Sequence, residues 1–153
     1  MTVLLSTIYD SVAHAARDWL VQYLTERAPS NLGASLSTLP RFQEAVGEID
    51  GKLLTRSHIA GRGDGRGGPW CALDRRKILL VKHAVTGSAI DVTARALELT
   101  GNPGLTRNNP LERHYRNALC SRIHTPQNDV ILVTAGRAAF AAHSAANSGG
   151  VPA

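Results

Sequence analysis

The stretch from Gly101 to Asp129 reads GNPGLTRNNPLERHYRNALCSRIHTPQND. Glycine and proline punctuate it, and it carries Arg107, Arg113, Arg116, Arg122, His114 and His124. The segments on either side read as long amphipathic helices. A polar, arginine-dense, punctuated segment between packing helices is where such a fold has room to build a site. No stretch of the chain alternates with period two for long enough to support a sheet. The expected fold class is therefore all-α, an up-down four-helix bundle with short connections.

Local physics sets the boundaries inside this stretch. Asn109-Pro110-Leu111-Glu112 reads as a helix start: Asn caps well, Pro suits the first helical position, and Glu at the third can reach back to the cap. Glu112 and Arg116 then stand one turn apart with the acid first, and Arg113 and Arg116 share a face. The short helix fades near Cys120. Thr125-Pro126-Gln127-Asn128-Asp129 reads as a second start, with Thr125 as cap, Pro126 in the first position and Asp129 at the positive end of the dipole. Two readings stand here: arginines on a solvated face, and arginines lining a site.

Upstream, a helix is expected from about Cys71 to Thr100, with Ile78, Val81, Val85, Val92, Ala96 and Leu99 as its stripe. Before it, Gly61 to Pro69 reads GRGDGRGGP, a flexible loop. Arg62-Gly63-Asp64 within it matches an integrin-binding tripeptide, which is too short to weigh. The loop is no phosphate-cradling motif, since the Lys-Ser/Thr ending and a preceding strand are both missing. A first helix is expected over about 2–27, with Leu5, Ile8, Val12, Ala15, Trp19 and Tyr23 facing the core. A second is expected over about 37–59, with Leu39, Phe42, Val46, Ile49 and Leu53 inward. Downstream, an Ala-rich helix runs from about Pro126 to Ala142. One domain over 1–143 with a disordered tail over 144–153 completes the layout.

The chain has 153 residues, enough for one domain with a real core. Its net charge of +5 is uneven. Residues 1–60 carry five Lys/Arg against six Asp/Glu, and residues 61–153 carry twelve against six. An anionic partner is therefore expected near the central stretch. Two cysteines, Cys71 and Cys120, make no disulfide framework, which points to a reducing, cytoplasmic setting. No signal peptide and no membrane span are read, and no metal-ligand pattern is evident.

The central stretch resembles the C-terminal helical domain of the acyl-CoA dehydrogenase family of flavoproteins. Those enzymes carry Gln-x-x-Gly-Gly-x-Gly, then Thr-Arg-x-x-Pro-x-Glu-Arg-x-x-Arg-Asp, then Arg-Ile-Tyr-Glu-Gly-Thr-Asn-Glu. Here the three runs stand as Glu98 to Gly104, Thr106 to Asn117 and Arg122 to Asp129. The weaker likeness extends over nearly the whole chain, including the region of Lys82.

The resemblance implies FAD as cofactor and a dimer interface. It places the Gly101 turn against the ADP part of FAD from a neighbouring subunit, although Asn102 replaces the second glycine and Glu98 the usual glutamine. A second family patch, Arg-x-x-Phe-Gly with a downstream Gln, corresponds here to Arg27, Leu32, Gly33 and Gln43, with extra residues between Arg27 and Gly33. An arginine fork suits pyrophosphate, while the residue-level reading of Arg27 is equally a cation closing a helix. Gln127 and Asn128 sit where family members touch FAD, at a helix start whose free N–H groups favour phosphate. Many family dehydrogenases place their catalytic Glu at the position of Thr125, which cannot act as a base near neutral pH. His124 beside it can donate or accept a proton, as in the flavin monooxygenase branch of the fold.

Whole family enzymes also carry an N-terminal helical domain and a β domain that holds the flavin ring. The resemblance implies that a partner chain supplies them, or that these 153 residues are a fragment or relic. The expected function is a contribution to FAD binding and subunit assembly in an oxidoreductase acting on an acyl-CoA or an aromatic small molecule. A homo-oligomer is expected, with Trp19, Tyr23 and the Ala-rich last helix as contact candidates. The rival is a non-catalytic oligomerisation module that has lost the flavin. Net charge alone motivates nucleic-acid binding, and no motif accompanies it.

Overall fold

A computed structural model describes residues 2–60 and 74–148. Five α-helices account for most of them: α1 (Thr2–Glu26), α2 (Pro40–Ala60), α3 (Arg75–Thr100), the short α4 (Leu111–Leu119) and α5 (Asn128–Ser148). Single 3-10 turns stand before α2, after α3 and after α4. No strand occurs among the described residues, so the all-α expectation holds. The expected loop at 61–69, residues 71–73 and the end of the chain from 149 lie outside the described residues.

α1 and α3 form the central pair; α2 flanks them, α4 lies across both, and α5 packs chiefly on α3. The core joins Tyr9, Ala13, Ala16, Leu20 and Leu24 of α1 to Phe42, Ile49 and Leu53 of α2 and Ala89, Val92 and Ala96 of α3, with Leu111 of α4. The face of α2 is the expected one. That of α1 is displaced by one residue. Ile8 is 50% exposed and Ala15 is exposed, while Leu5, Val12, Trp19 and Tyr23 are only partly buried. α1 carries two adjacent apolar stripes, and the one bearing Ala13 and Ala16 turns inward toward Ala89 and Ala96. Small side chains let helix axes approach, and close approach favours the small-residue stripe over the large one.

The buried face of α3 also departs from its hydrophobic stripe, because Lys82, Thr86, Thr93 and Thr100 lie on it. The three threonines recur every seven residues and satisfy themselves. Each Oγ1 donates to the carbonyl four residues back, at 2.9 Å to Lys82, 2.8 Å to Ala89 and 3.1 Å to Ala96. With its hydroxyl bonded, a threonine packs as a branched apolar side chain at little cost.

The helix ends follow local chemistry. Asp74 caps α3 by accepting from Lys77 N at 2.9 Å. At the far end Gly101 turns the chain with φ 63° and ψ −144°. α5 begins at Asn128 rather than Pro126: its first bond runs from Ile131 N to Gln127 O at 3.1 Å, so Thr125 is not its cap. α5 also continues to Ser148, so residues 144–148, expected as tail, are helical.

Candidate functional site

Asn109 ties the central stretch together. Its Oδ1 accepts from Leu111 N at 3.0 Å, but the cap position falls to Pro110, expected one place further on as the first helical residue, and α4 begins at Leu111. Its Nδ2 donates to Pro103 O and to Thr106 Oγ1, closing the loop between α3 and α4. Glu112 does not reach back to the cap; it pairs instead with Arg116 at 3.3 Å, one turn on. An open cleft of about 550 Å³ lies here, lined by Arg107, Asn109, Glu112, Arg113 and Arg116 among others. Burial, then the Arg113 charge, holds the His114 pKa below its ordinary value.

The segment from Ser121 to Asn128 is organised by a residue on another helix. Lys82 of α3 is fully buried, and its Nζ donates to Ser121 O at 3.3 Å, His124 O at 3.3 Å, Pro126 O at 3.1 Å and Asn128 Oδ1 at 3.2 Å. Desolvation pulls the Lys82 pKa below the usual lysine value. The His124 ring packs tilted against the Tyr9 ring of α1, centroids 5.8 Å apart. Burial, then the nearby Cys120, raises the Tyr9 pKa. Thr125 and Gln127 are exposed.

The remaining candidates lie elsewhere. Arg27 is exposed just beyond α1, and its carbonyl accepts from Leu36 N at 2.9 Å. Gln43, in the first turn of α2, donates through Nε2 to Ser37 O at 3.0 Å. Helices α2 and α3 run antiparallel: Lys52 pairs with Asp91 at 3.9 Å, while Arg95 lies within the electrostatic reach of Glu48 and Glu44. The C-terminus of α3 therefore meets the N-terminus of α2. Arg27, Gln43 and Gly101 thus share one end of the bundle.

His124, Gln127 and Asn128 gather at the opposite end, around Lys82. From Lys82 to Thr100 the axis of α3 rises about 27 Å at 1.5 Å per residue. The site residues expected from sequence are therefore two groups on one molecule. Sequence reasoning missed Lys82 and Tyr9. Lys82 leaves a signal, since it falls three and four residues before Val85 and Thr86, on the inward face of α3. Tyr9 leaves little, because it lies on the stripe of α1 that the larger apolar residues hide. Among the described residues no three His, Cys, Asp or Glu gather to hold a metal ion, and no helix is long and apolar enough to cross a membrane.

Known proteins carry the same domain. Residues 11–129 match the family described as acyl-CoA dehydrogenase, C-terminal domain. The Bacillus subtilis (strain 168) protein named "Putative acyl-CoA dehydrogenase YdbM" is 32% identical over 142 residues, covering 87% of this chain and 35% of that protein. Butyryl-CoA dehydrogenase from Megasphaera elsdenii superposes with a TM-score of 0.75 at 19% identity, over 91% of this chain and 36% of that one. PigA, solved with FAD and proline, superposes at 0.76 and 17% identity, over 91% and 36%. The chain thus spans about a third of the length of each, and the structural likenesses establish the fold. With the family match over most of its length, the chain belongs to the acyl-CoA dehydrogenase family, as its C-terminal helical domain.

Proposed function

We propose that this domain serves a flavin oxidoreductase by binding the ADP end of FAD and by joining subunits. The observation that carries the reading is the meeting of Arg27, Gln43 and Gly101 at one end of the bundle. Arg27 has no acidic partner among the described residues, so its fork is available to a pyrophosphate. Gly101 presents backbone with open space where a Cβ would stand, which suits close approach by a nucleotide. FAD would supply the redox chemistry; these residues would hold its ADP portion. PigA, a fold relative, was solved with FAD.

Gln127, Asn128 and His124 lie too far along α3 to serve the same ADP group. We assign them to the ring end of a flavin, with a second copy or a partner chain completing each site. That partner would also carry the flavin-ring and N-terminal domains. Cys120 is a free, exposed thiol, the state a reducing cytoplasm maintains. The substrate class is an acyl thioester or an aromatic small molecule.

Calorimetry with FAD and ADP tests the cofactor assignment. ADP should bind nearly as well as FAD, both weakly. Tight FAD binding without ADP binding would make the ring the anchor and refute the assignment. No binding of either would favour a pure assembly module, a reading that the exposed apolar face of α5 also supports.

His124 is the candidate proton donor or acceptor, since Thr125 cannot hold an abstracted proton. In a complex reconstituted with the partner domains, His124→Ala should lower turnover at least a hundredfold. Thr125→Ala should leave turnover and stability nearly unchanged, because Thr125 is exposed and caps no helix. Equal, small effects of both would remove His124 from the mechanism.

A further inference from the structure

Lys82 is the largest fully buried side chain among the described residues, and no carboxylate there balances its charge. All its partners are oxygens of one short segment, 39 to 46 residues further along the chain. An ammonium has three N–H donors, so four oxygens at 3.1–3.3 Å share them. The segment has little backbone order of its own. Its regular part is the 3-10 turn over Cys120–Arg122, closed by the bond from Ile123 N to Cys120 O, and the next turn or loop bond is the first of α5, from Ile131 N to Gln127 O. In between, the carbonyls of His124 and Pro126 and the side chain of Asn128 all turn toward Lys82. An apolar core would reject those oxygens, because a buried acceptor without a donor is costly.

We propose that Lys82 is a positioning residue: its buried ammonium gathers the Ser121–Asn128 segment and thereby fixes the His124 ring and the amino end of α5 in one orientation. A single donor group replaces the missing backbone ladder. The Tyr9 ring then completes the placement of His124 from the other side. The value of this placement to a reaction rests on the flavin reading above, whereas the placement itself does not. A guanidinium cannot substitute, since its planar fork does not converge on four oxygens around one nitrogen.

The test uses the full chain, without any ligand, as the wild type and two variants: Lys82→Met, and Ile49→Ala as a control that loses core packing on α2. In the wild type, NMR should show a cross-peak between the Tyr9 and His124 rings and protection of the Ile131 amide. Lys82→Met should lose the cross-peak and exchange the Ile131 amide at least tenfold faster, while amides near Leu20 and Val92 stay protected. Ile49→Ala should keep both features despite its lower stability. A folded Lys82→Met that keeps the cross-peak and the Ile131 protection overturns the proposal. Should Lys82→Met fail to fold, the wild-type Lys82 Nζ resonance decides. A protonated Nζ with slowly exchanging hydrogens supports the proposal, and one exchanging like the exposed lysines overturns it. An ADP titration separates this proposal from the flavin reading. Lys82→Met should change ADP affinity by less than twofold, since Arg27, Gln43 and Gly101 stand at the other end. A wild type that binds no ADP refutes the ADP assignment and leaves the cross-peak and exchange results to judge Lys82.

Discussion

Gly101 and Gly104, three residues apart, need to be glycine for different reasons. At Gly101 the backbone itself, with φ 63° and ψ −144°, lies where a side chain is strained. At Gly104 the backbone is ordinary, but a Cβ would run into Thr100 Oγ1 and crowd Leu97 Cδ1. That hydroxyl is pinned by its bonds to Ala96 O at 3.1 Å and Leu97 O at 2.8 Å, so it cannot swing aside freely. Gly104→Ala should therefore destabilise by about 1–3 kcal/mol. Thr100→Ala in the same chain should recover part of that loss, so the two changes should not add. Gly101→Ala should cost a similar ~1–3 kcal/mol that Thr100→Ala does not recover. Urea unfolding of the singles and doubles measures both cycles. Additive effects for Gly104 and Thr100 would rule out the collision. The run of glycines was legible in the sequence; the reason for the second was not, since it depends on where the Thr100 side chain is held.

Among the elements, α1 and α2 are linked by Arg17 and Asp50, which meet as a fork on a carboxylate. Nε donates to Oδ1 at 2.7 Å and Nη2 to Oδ2 at 2.8 Å. The Arg17 hydrogen bond holds the Asp50 pKa below its ordinary value of 3.8 against the opposing effect of burial. A carboxyl with a depressed folded pKa contributes stability that is present above 3.8 and lost as pH falls through the lower folded value. Arg17→Met should thus lower stability at pH 7 by about 1 kcal/mol, as befits a half-exposed pair. It should also flatten the decline of stability below pH 4. Thermal melts across pH 2–7 check it, and an unchanged acid slope would show that other carboxylates carry it. The pair was invisible in sequence, because Arg17 and Asp50 are 33 positions apart. Helix existence was legible throughout, from apolar spacing and from Gly and Pro. Facing was less so. On α1 two stripes compete and small residues win. On α3 threonines with satisfied hydroxyls, and a lysine surrounded by carbonyls, count as polar by type and yet lie inward. At the second helix start, Thr125-Pro126 had the composition of a cap. The oxygens that Lys82 collects hold that stretch out of the helix until Asn128.

For the whole molecule, the question left by this packing is what covers α5. The helix buries Ile131 and leaves Val130, Leu132, Val133 and Phe140 outward, with Phe140 79% exposed. Trp19 and Tyr23, also candidates for a subunit contact by sequence, stack on each other at 5.2 Å and lie against the core, so they offer less free surface. Large apolar side chains concentrated on one helix are what an association surface needs. The chain should therefore form a homodimer or a larger oligomer at micromolar concentration. Phe140→Glu places a charge where an apolar contact would close, and burying an unpaired charge is strongly unfavourable. The substitution should weaken association at least tenfold, or about 1.4 kcal/mol. Stability per chain should hardly change, because Phe140 is exposed within the chain. Sedimentation velocity over a concentration series reads the first effect and a urea titration the second. A wild-type chain that sediments only as monomer would overturn the oligomer, and a Phe140→Glu variant that associates as the wild type does would move the contact off α5. Loss of association together with loss of stability would instead show that α5 folds only against its partner.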